Sequence, residues 1–396
     1  MADVIASARS AWERWWRETS GKPAHRLGGV ILALLVVVAV AAPLLPLPNQ
    51  YRARIADIFL LCIIYSIIAL ALNVVTGYTG LLDLGVVAFA SIGAYTATIL
   101  YDRPWMQFPG SFVVVLIVGG LHASAWGLIR GAPTLRLSGD YYAIVTFAFA
   151  EIIRVIIRSE AWLTGGGAGF KNFPSINPWG AKLVGGEYTG MLKSAGQWEY
   201  PSGAQWFGNS TPFYYLCAVV LVLAVGLMRR LERSRTGRAW FAIKADETSA
   251  MTSGISLATY KMNAFAISAF IAGVGGALLG FKTSTVSTNV FDFWFSVVVL
   301  CGLVLGGMGS IRGALIGTFL VYGIGEVLRE QVTIGSVVLK VDDRARFLMF
   351  GALLVVVMVF RPQGFLPRKR SSEDAPTRGS SGSDAGSDLY HLEEGS

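Results

Sequence analysis

The chain has 396 residues, of which 54% are hydrophobic and only 15% are charged, and its mean hydropathy is +0.55. A soluble protein carries about a quarter charged residues, so the composition excludes that class and indicates an all-α polytopic membrane protein, whose backbone polar groups are satisfied within helices. The net charge of +8 does not indicate nucleic-acid binding, because the cations concentrate where membrane topology explains them.

The two ends of the chain differ in composition from the region between them. Residues 1–26 combine three tryptophans (Trp12, Trp15 and Trp16) with five cations, which predicts an amphipathic segment at the cytoplasmic interface. Residues 368–396 are rich in Ser, Gly and Asp, which predicts a disordered cytoplasmic tail. The transmembrane domain is therefore expected to cover residues 27–367.

Ten apolar spans follow the N-terminal segment, and the shorter ones make any number from eight to ten helices plausible, since about 20 residues are needed to cross the bilayer. The spans are residues 27–47, 55–75, 84–100, 112–129, 140–158, 212–228, 262–281, 293–308, 313–330 and 346–360.

The distribution of cations sets the expected orientation of these spans. With both termini in the cytoplasm, 20 of the 33 Lys and Arg residues fall in cytoplasmic segments and 9 in external ones. Because short cytoplasmic loops carry an excess of Lys and Arg, we expect both termini inside. The longest external segment is then 159–211, which is rich in Gly, Pro, Asn and Trp.

The most cation-rich internal segment is residues 229–261, with seven Lys and Arg in 33 residues. Inside it, the run from Asp246 to Gly254 (DETSAMTSG) is typical of a short helix followed by a glycine stop. A structured helix held against the cytoplasmic face indicates a protein that docks there.

Three glycine-rich segments interrupt the apolar pattern: 77–85 (GYTGLLDLG), 164–169 (TGGGAG) and 305–316 (LGGMGSIRGALI). Non-helical backbone at membrane depth is tolerated only where protein or water surrounds it, and transporter sites are often built from such breaks. Close packing of helices is the alternative explanation for any single glycine. The candidates for the translocation path are Gly77, Gly80, Asp83, Gly85, Thr164, Gly165, Gly166, Gly306 and Gly307.

Charges inside predicted spans are costly and mark function by default. Glu151 and Arg154 can neutralise each other on one helix face, and so can Glu326 and Arg329. Asp83 has no such neighbour, so it either lies on the pathway or caps a helix that begins near Leu84. The chain contains no GxxxxGK[ST] phosphate-binding loop and its His and Cys residues are scattered, so we expect no cofactor, no metal and no catalytic residues.

Several segments in this order resemble the permease subunits of bacterial ATP-binding-cassette (ABC) importers for branched-chain amino acids, in particular the LivM-like subunit. The resemblance covers residues about 55 to 367. The matching segments are 77–97 (GYTGLLDLGVVAFASIGAYTA), 137–154 (LSGDYYAIVTFAFAEIIR), 164–170 (TGGGAGF), 233–278, which includes ADETSAMTSG, 305–317 (LGGMGSIRGALIG) and 361–367 (RPQGFLP).

The resemblance implies a multi-pass protein of the bacterial inner membrane that is not itself an enzyme. Its expected partners are a second homologous permease, two cytoplasmic ATPases that bind the ATP and Mg²⁺, and an extracytoplasmic substrate-binding protein. Glu247, Ala250 and Gly254 match the family's coupling helix, which fits a cleft on the ATPase, and Asp246 precedes them. Asp83 departs from the family pattern, in which serine is frequent.

Two alternatives stay open at the level of sequence. Importers of urea or short amides have closely similar permeases, so the substrate is not fixed by this subunit. A stand-alone secondary carrier is the alternative from a different class, and the coupling segment speaks against it because a carrier needs no rigid cytoplasmic helix.

Overall fold

The computed structural model describes residues 49–102, 112–135, 137, 139–171, 192–194, 197–199, 211–283, 285–329, 332–334, 337–339, 351–352, 355 and 364–366. The predicted segments 1–26, 27–47 and 368–396 lie outside the described residues, as do most of 159–211 and most of the predicted span 346–360.

Every predicted span between residues 55 and 330 coincides with a helix. The helices are α1 (Asn49–Leu72), continued by a π-helical segment (Asn73–Thr79), α2 (Val86–Asp102), α3 (Phe112–Thr134), α4 (Asp140–Ser159), α5 (Ala161–Thr164), α6 (Thr211–Arg233), α7 (Arg235–Ala245), α8 (Glu247–Thr252), α9 (Leu257–Thr283), α10 (Phe293–Gly306) and α11 (Ile311–Arg329). Among the residues that the structure describes, four helical stretches are long and apolar enough to cross a membrane: Ile55–Thr79, Phe112–Thr134, Phe213–Arg233 and Leu257–Thr283.

Three pairs of very short antiparallel strands complete the described elements. They are β1 (Phe170–Lys171) with β4 (Thr285–Val286), β2 (Leu192–Ser194) with β3 (Gln197–Glu199), and β5 (Val332–Ile334) with β6 (Val337–Leu339).

Helices α1 and α9 form the centre of the bundle, where glycines allow backbones to touch. A Cβ at Gly276 of α9 would collide with the backbone of Ala90 in α2, and one at Gly273 would meet Ala123 in α3 at 2.5 Å. Similarly, Gly306 of α10 lies against the Gly313 backbone of α11. These contacts show that many glycines of the chain serve close helix packing, as expected for small residues in membrane helices.

The turns α1–α2, α3–α4, α6–α9 and α10–α11 lie at one end of the bundle, which we call the loop end. Lys244 in α7 and Gly309 before α11 both contact the π-helical segment, and Leu135 packs with Val75 and Leu81. The strand pair β1–β4 lies at the opposite end. All the internal segments predicted to be cytoplasmic are therefore on one side of the bundle.

The two ends of the bundle provide a labelling test of orientation. Thr248 at the loop end and Gly167 at the opposite end are both exposed, whereas the three native cysteines are buried. We expect Gly167→Cys to react with a membrane-impermeant thiol reagent in intact cells, and Thr248→Cys to react only after lysis. The unsubstituted chain gives the background, and labelling of both variants in intact cells would contradict the proposed orientation.

A candidate coupling and translocation site

The helix formed by α1 and the π-helical segment ends at Gly80, where the sequence predicts a break. Gly80 has φ +80, a left-handed conformation that favours glycine, and the Thr79 hydroxyl donates to the Val75 carbonyl at 2.7 Å. The chain then runs without helix until Val86, where α2 begins. The break therefore lies at the loop end and is covered by protein on its Asn73–Thr79 side, where every residue is buried.

The second predicted break, between α10 and α11, contacts the first one directly. The Gly309 amide donates to Asn73 Oδ1 at 2.8 Å. A Cβ at Gly77 would collide with the Asn73 side chain and lie 2.7 Å from the Gly309 nitrogen. Gly309 itself has φ +84. Because only glycine allows this approach, Gly77 and Gly309 are required for the contact between the two breaks.

Gly306 and Gly307 are enclosed by backbone rather than open to a path. The amides of Phe365 and Leu366 donate to the carbonyls of Leu305 and Gly306, each at 2.9 Å, and a Cβ at Gly364 would collide with the Gly307 backbone. Residues 364–366, which follow the last predicted span, therefore stabilise the α10–α11 turn. These two glycines support the site by packing.

The glycines of 164–169 lie at the opposite end of the bundle. The Thr164 hydroxyl lies 2.6 Å from the Ile157 carbonyl and 2.8 Å from that of Glu160, while Gly165 and Gly166 have φ of 75 and 62. Helix α2, of 17 residues, separates them from the first break by about 25 Å at 1.5 Å per residue. The structure therefore does not join Thr164, Gly165 and Gly166 to the other candidates.

Asp83, in the middle of the first break, forms a buried ion pair with Arg130 of α3. The two guanidinium nitrogens Nη1 and Nη2 donate to Oδ1 and Oδ2, each at 2.8 Å, and both side chains are 1% exposed. Asp83 Oδ1 also accepts the Gly85 amide at 2.8 Å. The charge partner of Asp83 is therefore not a neighbour in the sequence but lies 47 residues away.

Aromatic rings surround the guanidinium of Arg130. Its central carbon lies 4.5 Å from the ring centre of Phe89 and 5.5 Å from that of Phe265, and Nη2 lies 3.4 Å from the Tyr142 hydroxyl. A cation over ring faces is stabilised electrostatically. Gly85 makes room for the pair, because a Cβ there would lie 2.7 Å from Nη1. Asp83 is thus neutralised where it lies and offers no free charge to a substrate.

The predicted coupling helix is α8, and its ends are fixed by local signals in the sequence. Asp246 is its N-cap and accepts the Ser249 amide at 2.6 Å, an arrangement that stabilises a helix start. Gly254 follows its last turn with φ +80, and the Ile255 amide returns to the Ala250 carbonyl at 3.0 Å. The short helix and its glycine stop are both present.

Two residues matched to the family's coupling motif contact other parts of this chain. The carboxylate of Glu247 accepts two hydrogen bonds from Lys261 Nζ, at 2.8 and 2.9 Å. Ala250 is only 4% exposed with no second chain present, so this chain by itself already buries the Ala250 side chain. Met251, which the sequence reasoning missed, is 52% exposed and is the large apolar side chain that α8 presents outward.

Lys244, at the end of α7, links the coupling loop to the first break. Its Nζ donates to the Gly77 carbonyl at 2.7 Å, and Tyr78 packs on Trp240 and Phe241 of α7 with ring centres 6.3 and 5.1 Å apart. In the sequence, Lys244 is distinguished only as one of the cations of the 229–261 segment. No local pattern in the sequence indicates this contact, because Gly77 is 167 residues away.

Residues 54–358 match the protein family described as the permease component of the branched-chain amino acid transport system. This chain belongs to that family. The high-affinity branched-chain amino acid transport system permease protein LivM of Escherichia coli K12 is 36% identical to it over 348 residues, which cover 86% of this chain and 75% of the relative.

More distant members of the family include the permease protein LivH of Salmonella typhimurium LT2, which is 25% identical over 313 residues, 77% of this chain and 91% of the relative. The probable LivM of Methanocaldococcus jannaschii is 24% identical over 342 residues, with the same two coverages of 77% and 91%. No solved structure matches the chain significantly. The resemblance drawn from the motifs is confirmed, and the chain is an all-α, multi-pass membrane permease.

The buried ion pair predicts a large effect of Asp83→Asn. Removing one partner of a buried pair leaves an uncompensated charge and costs about 3–5 kcal/mol, so the solubilised protein should unfold at a clearly lower temperature. Adding Arg130→Gln to Asp83→Asn removes the stranded charge and should restore much of the loss.

Arg154→Gln is the matched control for this measurement. It breaks the pair with Glu151, whose side chains are 38% and 33% exposed, and pairs of that kind contribute at most about 1 kcal/mol. If Asp83→Asn lowers the unfolding temperature no more than Arg154→Gln does, the central role of the buried pair is refuted.

Proposed function

We propose that the chain is a membrane-spanning permease subunit of an ATP-driven importer for branched-chain amino acids. It lies in the bacterial inner membrane with about ten spans and both termini in the cytoplasm. It works with a second homologous permease, two ATPases and an extracytoplasmic binding protein. The observation that carries this proposal is a short capped helix at the loop end, α8, which is connected through α7 to the break after α1.

The coupling loop has the rigidity that force transmission requires. Ser234 caps α7 by accepting the Gly237 amide at 3.2 Å, and Lys261, whose side chain is buried in α9, holds Glu247 at the start of α8. Exposed Met251, with polar residues beside it, forms the surface that an ATPase would cover. ATP and Mg²⁺ would be bound by the ATPases, and this chain would hold no cofactor.

The loop and the break are connected so that motion of one moves the other. A displacement of α8 would move α7, which lies next to it. The contacts of α7 with the π-helical segment, Lys244 with Gly77 and Trp240 with Tyr78, would then displace that segment. Through Asp83 and Arg130 the displacement would then reach α3. Packed interfaces of this kind switch between discrete arrangements. Closure of the two ATPases on ATP would therefore shift the equilibrium of the permease between inward-facing and outward-facing states.

The translocation path would begin and end at different glycine-rich segments. Its cytoplasmic end would be shaped by Gly77, Gly80, Asp83 and Gly85. Gly306 and Gly307 would support this end by packing. The 164–169 turn would lie at its external end, near the surface that meets the binding protein. Exposed backbone groups at such breaks can replace water around a zwitterion.

The names of the relatives favour branched-chain amino acids as the substrate. The decisive measurement is uptake into proteoliposomes that contain this chain with its second permease, ATPases and binding protein. We expect ATP-dependent uptake of radiolabelled leucine and none of urea. Urea uptake without leucine uptake would favour the urea or short-amide importers, and leucine uptake by the chain alone would indicate a secondary carrier.

Two variants separate docking of the ATPase from transmission of its motion. Met251→Glu places a charge on the docking surface and should release the ATPases from the purified complex, whereas Met251→Leu should retain them. Lys244→Met removes the hydrogen bond to Gly77, so ATP hydrolysis should continue while leucine uptake falls. We expect a decrease of about fivefold or more, because coupling free energies between sites usually correspond to factors of at least that size.

Arg235→Met is the control for the Lys244 variant. Arg235 is exposed at the other end of the same helix, so removing its charge should leave uptake and hydrolysis unchanged. Equal uptake by the Lys244 and Arg235 variants would refute the proposed link between α7 and the break.

A further inference from the structure

A shallow cleft lies between α2, α4 and the segment before α10, away from the contact between the two glycine-rich breaks. Its polar lining consists of Ser91, Tyr95, Arg154 and Thr288, and Val87 and Phe291 contribute to its apolar side. Arg154 is 14 residues into α4, which places the cleft about 21 Å along that helix from the loop end. The transport machinery described above does not use these side chains.

Arg154 lines this cleft, and its ion-pair partner Glu151 and a further cation, Arg158, lie near it on α4, where lipid would be an unfavourable neighbour. Arg154 Nε donates to Glu151 Oε2 at 2.9 Å, with side chains 38% and 33% exposed, and Arg158 is exposed one turn further along α4. Ionised side chains facing hydrocarbon are costly and normally face the interior of a bundle or water. This face of α4 would therefore be covered by the second permease or by the water-filled path between the two permeases.

A buried hydroxyl group points to a ligand at the same place. Tyr95 is buried in α2, and its Oη has no hydrogen-bond partner among the residues that the structure describes. Buried polar atoms nearly always have a partner, and leaving one unpaired costs free energy. The Ser91 hydroxyl beside it donates to the Ala88 carbonyl at 2.8 Å, which leaves its oxygen able to accept a hydrogen bond.

We propose that this cleft is one half of a substrate site for the zwitterionic group of an amino acid, a proposal that rests on the function proposed above. Arg154 would bind the carboxylate, with Tyr95 donating a further hydrogen bond to it, and Glu151 would bind the ammonium group. The aliphatic side chain would lie against Val87 and Phe291, and the second permease would close the open side.

The ion pair suits a zwitterion because binding exchanges partners without leaving a charge unpaired. In the free state Glu151 and Arg154 neutralise each other, and in the bound state each meets the opposite charge of the substrate. The net charge of the site is therefore the same before and after passage. Such a site can bind and release its substrate without a large electrostatic barrier, as transport requires.

Photolabelling of the complete reconstituted importer tests the position of the site. The probe is photo-leucine, which carries a diazirine in its aliphatic side chain. During ATP hydrolysis we expect labelled peptides to include residues 87–95 or 150–157, and excess leucine to suppress that labelling. Labelling confined to other segments, or no labelling of this chain, would overturn the proposal.

A charge-neutral variant tests the role of the pair. Glu151→Gln together with Arg154→Gln should lower leucine uptake by about tenfold or more, as expected for loss of charge-assisted hydrogen bonds, and Tyr95→Phe should lower it less. The matched control is Asp57→Asn with Lys282→Gln, which removes a 2.7 Å ion pair outside the cleft and should preserve uptake.

The outcomes distinguish failure of the proposed function from failure of the cleft proposal. If the native complex takes up no leucine, the proposed function fails. If it takes up leucine and the neutral variant does so equally well, only the cleft proposal fails. Should the variant not assemble, as judged by size-exclusion chromatography, the photolabelling of the native complex decides alone.

Discussion

The buried ion pair between Asp83 and Arg130 is the interaction on which the loop end of the structure depends. Both side chains are 1% exposed, and a single charge left in such an environment would be strongly destabilising. The pair therefore binds the non-helical stretch before α2 to α3 with two hydrogen bonds in a fixed geometry. The pair needs space, which the absence of a side chain at Gly85 provides. The aromatic rings around Arg130 stabilise its positive charge.

The same end of the bundle joins the polar segment of α7 and α8 to the break that follows α1. Lys261 holds Glu247, Lys244 holds the Gly77 carbonyl, and Asn73 holds Gly309. Each contact uses a polar group that would be costly to leave unsatisfied away from water. The last two of these contacts and the Asp83–Arg130 pair tie the break to three parts of the chain, α7, the α10–α11 turn and α3. These ties explain how the break can persist without weakening the bundle.

Helix α4 has a different character from the central helices α1 and α9. It carries Glu151, Arg154 and Arg158 along an exposed face, whereas α1 and α9 are largely buried. In a permease that functions with a second permease, an exposed polar face on a membrane helix is where the two chains and the substrate would meet. The loop end would then control access, and the α4 face would contact the cargo.

The sequence by itself determined the elements whose signals are local. Apolar length predicted the spans between residues 55 and 330, and Asp246 with Gly254 predicted α8 within one residue at each end, because caps and left-handed glycines act on adjacent backbone groups. Only the tertiary structure decided the partners of Asp83, of Gly77 and of Asn73, which are 47, 167 and 236 residues away. It also decided that Ala250 faces inward while Met251 faces outward. The physical reason is that such pairings depend on which helix faces pack together, and helical periodicity alone does not specify the neighbour.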